Sequence, residues 1–175
     1  MNDTQWPRFY VFKQDATDGP HQNCGSIHAP DGEMALLNAR DVFVRRPPCV
    51  SLWVLPADAI HRHPPSGPPL KDHGKPRPRA YAVFVKADHR QPHHFAGELE
   101  ADTAQEALDQ AVSEQAHSSW VELWVAPASQ LVRSDREDAD AWFGPADDKP
   151  YRHGSFYHTE SAMRKLMSAS ADDEA

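Results

Sequence analysis

Eleven histidines in 175 residues make metal or acid–base chemistry the first possibility to weigh. Glu114-x-x-His117 has the spacing of a carboxylate-bridged di-iron helix, because residues three apart share one helical face. Such a site needs a second Glu-x-x-His pair and two further glutamates. No second pair exists, so a solvated helix end is expected there. His61, His63 and His73 offer imidazoles in a proline-rich spacer, where nothing fixes their geometry. His28 and the pair His93-His94 fall on expected strands, where surface or hydrogen-bonded histidines are the ordinary case. Cys24 and Cys49 lack Cys-x-x-Cys spacing and are too few for a disulfide framework, so they read as buried or idle thiols. There is no Gly-x-Gly-x-x-Gly, Walker loop, Gly-x-Ser-x-Gly elbow or His-Glu-x-x-His. The expectation is a protein with no catalytic residue, no metal and no cofactor.

The 18 Lys and Arg against 26 Asp and Glu give a formal charge of -8, which disfavours a sequence-blind nucleic-acid partner. No apolar run reaches the roughly 20 residues that cross a bilayer, and Met1 to Thr4 do not open a basic-then-apolar leader. A cytoplasmic protein with no membrane partner is expected. Leu, Ile, Val and Phe number 30, and 26 of them lie within residues 6–60 and 79–132, so two small ordered blocks are implied.

The elements that would position any side chain recur along the chain. Val11-Phe12 corresponds to Val83-Phe84, His21 to His93, Gly25 to Gly97, Ala29 to Ala101, Ala35-Leu36 to Ala107-Leu108 and Ala39 to Ala111, each displaced by 72 positions. At a displacement of 71, Val50-Ser-Leu-Trp-Val-Leu-Pro-Ala57 overlies Val121-Glu-Leu-Trp-Val-Ala-Pro-Ala128. The recurrent Trp53 and Trp124 read as core anchors rather than stacking platforms, and the recurrent Gly25 and Gly97 as strand bulges or close backbone contacts.

Phe9 to Phe12 and Tyr81 to Val85 are β-branched and aromatic runs that predict first strands. Val50, Leu52 and Val54 alternate with Ser51, Trp53 and Leu55, as a last strand requires. Second strands are expected near residues 23–29 and 95–101. A helix follows each, started by Asp31 as N-cap or by a Thr103-x-x-Glu106 capping box. Met34, Leu37 and the Leu36, Ala39, Phe43 set predict a stripe facing a sheet, as do Leu108, Ala111 and Val112. Prolines 47 and 48 end the first helix, and Pro56 and Pro127 close the last strands.

The expected fold class is α+β: two β-β-α-β repeats that pair as an intramolecular pseudo-dimer, with a C-terminal aromatic tail. A unit of about 55 residues is marginal alone and leaves sheet edges open. A tether holds the second copy at high effective concentration. The expected divisions are a first repeat over 1–60, a proline-rich linker over 61–78, a second repeat over 79–132, a docking segment over 133–167 and a disordered tail over 168–175. Residues 133–148 are acidic and poor in apolar groups. Tyr151, Arg152, His153, Phe156 and Tyr157 then form a dense aromatic and basic cluster. Such residues anchor interfaces, which points to a protein partner; folding back over the chain's own sheet edge is the alternative.

Trp6-Pro7, Val11-Phe12, His21 with Gly25-Ser-Ile-His-Ala29, Met34-Ala-Leu36 with Asn38-Ala-Arg-Asp41, Arg45-Arg46 and Ser51-Leu-Trp-Val54 resemble the B subunit family of the bacterial phenylacetyl-CoA epoxidase. Lys149, Tyr151-Arg-His153 and Ser155-Phe-Tyr157 are similar to that family's C-terminal segment. The chain departs from the usual pattern in carrying two copies with the tail after the second only. The second copy has Glu98-Leu-Glu100 in place of Ser26-Ile-His28, and nothing like Asn38-Ala-Arg-Asp41. The resemblance implies a non-catalytic subunit that supports and bridges the oxygenase assembly, while separate helical subunits with a flavin and iron–sulfur reductase handle iron, dioxygen and phenylacetyl-CoA. Its partners would be the catalytic and structural oxygenase subunits, met through Tyr151, Arg152, His153, Phe156, Tyr157, Arg45 and Arg46. The alternative function is a stand-alone module binding a small acyl or aromatic ligand between the repeats.

Overall fold

The computed structural model describes residues 6–45, 48–64, 77–116 and 118–147. Strands β1 (Arg8–Gln14) and β2 (Gln22–His28) lead into helix α1 (Gly32–Phe43) and strand β3 (Ser51–Pro56). A single 3-10 turn then feeds the short strand β4 (His61–His63). The same order follows from β5 (Arg79–Lys86) and β6 (His94–Ala101) through helix α2 (Ala104–Glu114) to β7 (Glu122–Pro127), a second 3-10 turn and β8 (Val132–Arg133). Helix α3 (Ala139–Asp147) ends the described part. The fold is mixed α+β.

Local chemistry sets the boundaries. The Asp31 carboxylate accepts from the Met34 N–H at 2.8 Å, satisfying one of the free donors at the start of α1. The Thr103 hydroxyl accepts from the Glu106 N–H at 3.1 Å, and the Glu106 carboxylate accepts from the Asp102 N–H at 3.0 Å, one residue before the usual reciprocal partner of a capping box. Helix α1 ends at Phe43, four residues ahead of Pro47, with the Val44 N–H donating to the Arg40 carbonyl.

Among the described residues the strands form one antiparallel sheet in the order β4-β7-β5-β6-β2-β1-β3-β8. Its middle is the β2–β6 pair, where Gln22 faces His94. The Asn23 N–H donates to the His93 carbonyl at 2.8 Å, and the Phe95 N–H to the His21 carbonyl at 2.9 Å. The outer strands cross over. β4, which follows β3 in sequence, pairs with β7, while β8, which follows β7, pairs with β3. Register shifts between Val11 and Phe12 and between Val83 and Phe84 mark bulges in β1–β2 and β5–β6. Gly25 and Gly97 sit opposite them with φ of 147° and 152°, a backbone region that excludes ordinary L residues.

Three apolar clusters hold these elements. Ala35, Leu36 and Ala39 of α1 lie on Phe9, Val11, Leu52 and Val54, and Ala107, Leu108 and Ala111 of α2 lie on Val83, Val85, Leu123 and Val125. The opposite sheet face carries the third: Phe12, Leu55, Ile60, Phe84, Trp124 and Leu131. Strands about 4.8 Å apart would put β1 and β5 roughly 14 Å from each other in a flat sheet. The rings of Phe12 and Phe84 nevertheless stack at 4.3 Å. Tyr10 of β1 likewise meets Trp124 of β7 at 4.8 Å. The sheet therefore curls until its helix-free face closes on itself, which buries aromatic surface that neither run of strands could cover alone.

Two expectations need correction, and one helix stands where no element was expected. Met34 and Leu37 do not face the sheet but are 42% and 38% exposed, because Ala35, Leu36 and Ala39 supply the buried stripe. His61 and His63 do not stand in an unstructured spacer; they lie on β4, their backbone fixed against Leu123 and Val125. The acidic stretch after residue 132 contains α3, whose Phe143 is only 6% exposed and packs with Ala35, Leu36 and Ala39; two adjacent aromatics suffice to anchor it.

Candidate functional site

The sharpest chemistry lies where the two runs of elements meet. His21, just ahead of β2, stacks on Trp53 of β3 with ring centroids 3.4 Å apart. His93, just ahead of β6, stacks on Trp124 of β7 at 3.6 Å. Each tryptophan also receives a guanidinium from the crossing edge strand paired with it. Arg133 on β8 lies 4.9 Å from the Trp53 ring, and Arg62 on β4 lies 5.0 Å from the Trp124 ring. The register places Trp53 opposite Arg133 and Trp124 opposite Arg62, so these cation–π contacts follow from the strand pairing itself. Arg62 further donates to the Tyr10 hydroxyl at 3.2 Å, and Arg133 pairs with Glu98.

Electrostatics keep the two imidazoles neutral. His21 and His93 are 7% and 5% exposed. Burial, helped by Arg133 and Arg136, lowers the pKa of His21 to about 4. Burial also lowers that of His93 to about 4; Lys86, Arg62 and His94 act with it and Glu122 opposes it. The Glu122 carboxylate accepts from the Trp124 indole N–H at 2.7 Å and stands 3.5 Å from His93 Nε2. The Nε2 atoms of both histidines are buried without a hydrogen bond. Each imidazole lies flat against an indole, and that stack fixes the orientation of both rings.

The other sequence candidates scatter. Glu114 accepts from the Gln110 side chain on the outer face of α2, and His117 lies outside the described residues, as does His73. His28 is exposed, with Nδ1 2.8 Å from the Trp6 carbonyl oxygen. Among the described residues no three His, Cys, Asp or Glu side chains gather as a metal site. Cys24 is exposed on β2 rather than a core thiol, its Sγ donating to the Val11 carbonyl at 3.5 Å, and partial shielding of the sulfur raises its pKa; Cys49 is half-buried, which raises its thiol to about 11. Arg45 is exposed just beyond the end of α1. Arg46, Tyr151, Arg152, His153, Phe156 and Tyr157 lie outside the described residues.

Sequence reasoning matched His21 with His93 and Trp53 with Trp124 but did not connect the pairs. The available signal was their shared displacement, since two residue types that recur together on adjoining strands are candidates for contact. Among the described residues the exposed large apolar side chains, Trp6, Met34, Leu37 and Val42, all precede β3. No helix among the described residues is long and apolar enough to cross a membrane.

Comparison with known proteins gives a consistent picture. The family described as phenylacetic acid degradation B (PaaB) matches residues 5–70 and 78–164. A curated relative, the B subunit of the 1,2-phenylacetyl-CoA epoxidase of Escherichia coli (strain K12), is 42% identical over 60 residues, 34% of this chain and 63% of the relative. The chain thus spans less than two thirds of the length of the curated relative it matches. No solved structure matches. With the family's pattern extending over most of both halves, the chain belongs to the PaaB family.

Proposed function

We propose that this protein is a non-catalytic, bridging subunit of a multicomponent di-iron oxygenase that forms the 1,2-epoxide of phenylacetyl-CoA in the cytoplasmic catabolism of phenylacetate. The observation that carries the reading is the family match to residues 5–70 and 78–164, together with a relative named as an epoxidase subunit. In this reading the halves are two copies of one β-β-α-β unit that clasp as a pseudo-dimer. The recurring element order, the reciprocal Asn23–His93 and Phe95–His21 hydrogen bonds and the crossing of β4 and β8 support it. A unit with two related surfaces can hold two catalytic modules in fixed relative orientation. Arg45, Arg46, Tyr151, Arg152, His153, Phe156 and Tyr157 are proposed to meet the catalytic and structural oxygenase subunits.

The other reading, a module binding a small acyl or aromatic ligand between the halves, needs space at the junction. Phe12 and Phe84 fill that junction as a stacked, fully buried pair, which favours a scaffold. The test is co-purification with the oxygenase subunits from a co-expressing host. The full chain is expected to recover them, and Tyr151→Ala with Phe156→Ala to reduce recovery about tenfold while thermal unfolding stays nearly unchanged. Undiminished recovery by the double variant would remove the tail from the interface. Failure of the parent chain to recover any oxygenase subunit, or epoxide formation by the purified chain alone, would overturn the bridging role.

A further inference from the structure

We propose that the helix-free face of the first half, where β1 begins and β2 ends, docks an acidic segment of a protein partner through Trp6, Arg8, Tyr10 and Arg62. Two guanidiniums converge there on one phenol: Arg8 and Arg62 each donate to the Tyr10 hydroxyl at 3.2 Å. Arg8 is exposed and Arg62 half-buried, and among the described residues neither pairs with a carboxylate. A hydroxyl partner cancels neither charge, and the planar fork of a guanidinium is matched by a carboxylate. Phe9 and Val11 pack with α1, so Arg8 and Tyr10 belong to the opposite face of β1. Arg8 stands across from His28 and Tyr10 from Ser26, both exposed on β2. Trp6, 60% exposed, is tied to the same place by its carbonyl, 2.8 Å from His28 Nδ1. Trp, Tyr and Arg are the residue types that carry interface energy.

The second half shows that the fold does not require this set. Displacement by 72 positions turns Trp6, Arg8 and Tyr10 into Pro78, Ala80 and Ala82, and Ser26 and His28 into Glu98 and Glu100. The strand pairing is kept, with Ala80 opposite Glu100 and Ala82 opposite Glu98. Arg133, the counterpart of Arg62, has the Glu98 carboxylate as its partner. One scaffold thus carries a basic, aromatic face on one half and an acidic face on the other. Where the second half supplies its own carboxylate, charge complementarity assigns the place in the first half to a carboxylate from a partner. The formal charge of -8 repels an extended polyanion such as nucleic acid or an anionic lipid surface, whereas a short acidic segment meets this face alone.

The identity of the partner rests on the bridging reading and the chemistry of the face does not, so two measurements separate them. Fluorescein-labelled hexaglutamate, titrated with the full chain at low salt and followed by anisotropy, is expected to bind, and hexaglutamine is not. Arg8→Glu is expected to weaken hexaglutamate binding about tenfold, and Arg8→Ala to fall between it and the parent. Arg90→Glu, the same change of charge in the turn between β5 and β6, is expected to leave binding unchanged. No binding by the parent, or equal losses from Arg8→Glu and Arg90→Glu, would overturn the proposal. Displacement of the peptide by equimolar inorganic phosphate would overturn it too, assigning the face to a small oxyanion. In co-purification with the oxygenase subunits, Arg8→Glu is expected to lower recovery and Arg90→Glu to preserve it. Undiminished recovery by Arg8→Glu would take the partner off this face. Hexaglutamate bound here by a chain that recovers no oxygenase subunit would support the face and remove the bridging reading.

Discussion

His21 and His93 show how a titratable residue becomes structural. Each ring lies flat on an indole, is nearly sealed from water and stays neutral because burial disfavours the imidazolium. In the unfolded chain these groups titrate near their ordinary value of 6.5, whereas the folded values lie at about 4. Between those limits the unfolded state binds more protons, so stability is complete above about pH 6.5 and declines as pH falls toward 4. With allowance for solvent screening, the loss is about 1–2 kcal/mol per histidine. After burial, Arg133 and Arg136 further disfavour charge on His21, whereas at His93 the Glu122 carboxylate opposes burial and Lys86, Arg62 and His94 add to it. Thermal melts from pH 7 to 4.5 are expected to show a shallower decline for His21→Phe than for the parent chain. Parallel curves would show that His21 does not couple folding to protons.

At the scale of elements, the two bulges use one backbone device under different neighbours. Gly25 and Gly97 both sit at positive φ, but a Cβ at Gly25 would lie 2.8 Å from the Phe43 ring of α1, while one at Gly97 would meet nothing within 4 Å. Position 115, which corresponds to Phe43 on α2, is a glutamine. Backbone strain alone costs about 1 kcal/mol for Gly97→Ala; Gly25→Ala adds the clash with a ring wedged between helix and sheet, for a total of about 2–4 kcal/mol. Urea unfolding of the two variants is expected to give that ranking, and equal losses would mean that Phe43 moves aside freely. The edge strands follow a related logic. β8 is only two residues long, yet the Ser134 N–H donates to the Leu52 carbonyl at 2.8 Å and the Ser134 hydroxyl accepts from the Leu52 N–H at 3.0 Å, extending its grip on β3. An edge strand this short offers little template for pairing with another chain.

Across the whole molecule, the closed aromatic face and the crossed edge strands make each half a part of the other's core. Ile60, which follows β3, and Leu131, which follows β7, share one cluster with Phe12 and Phe84. Neither half can be opened without exposing Phe12 or Phe84, each worth about 3–5 kcal/mol on truncation to alanine. Heat and urea are therefore expected to unfold the chain in one transition, with coincident curves from tryptophan fluorescence and far-UV circular dichroism. Two separated transitions would show that the halves fold independently and would weaken the scaffold reading with them.

Strands β1 to β3 and β5 to β7 and helices α1 and α2 were legible in the sequence because their causes are local, whereas β4, β8 and α3 were not. Alternating Val50 to Leu55, the Asp31 and Thr103 caps, and a glycine recurring opposite each bulge act within a few residues of where they stand. The repeated spacing likewise raised the expectation of a paired arrangement, which belongs to the proposed reading. What the tertiary structure alone decided is which faces meet. Met34 and Leu37 share the apolar character of Leu36, and only the placement of α1 on the sheet turns them outward. The stacks of His21 on Trp53 and His93 on Trp124, and the arginines that cross from the opposite half, depend on strand order and curl. Those are settled by the burial of a non-local aromatic surface, a free energy shared among residues dozens of positions apart that no local pattern encodes.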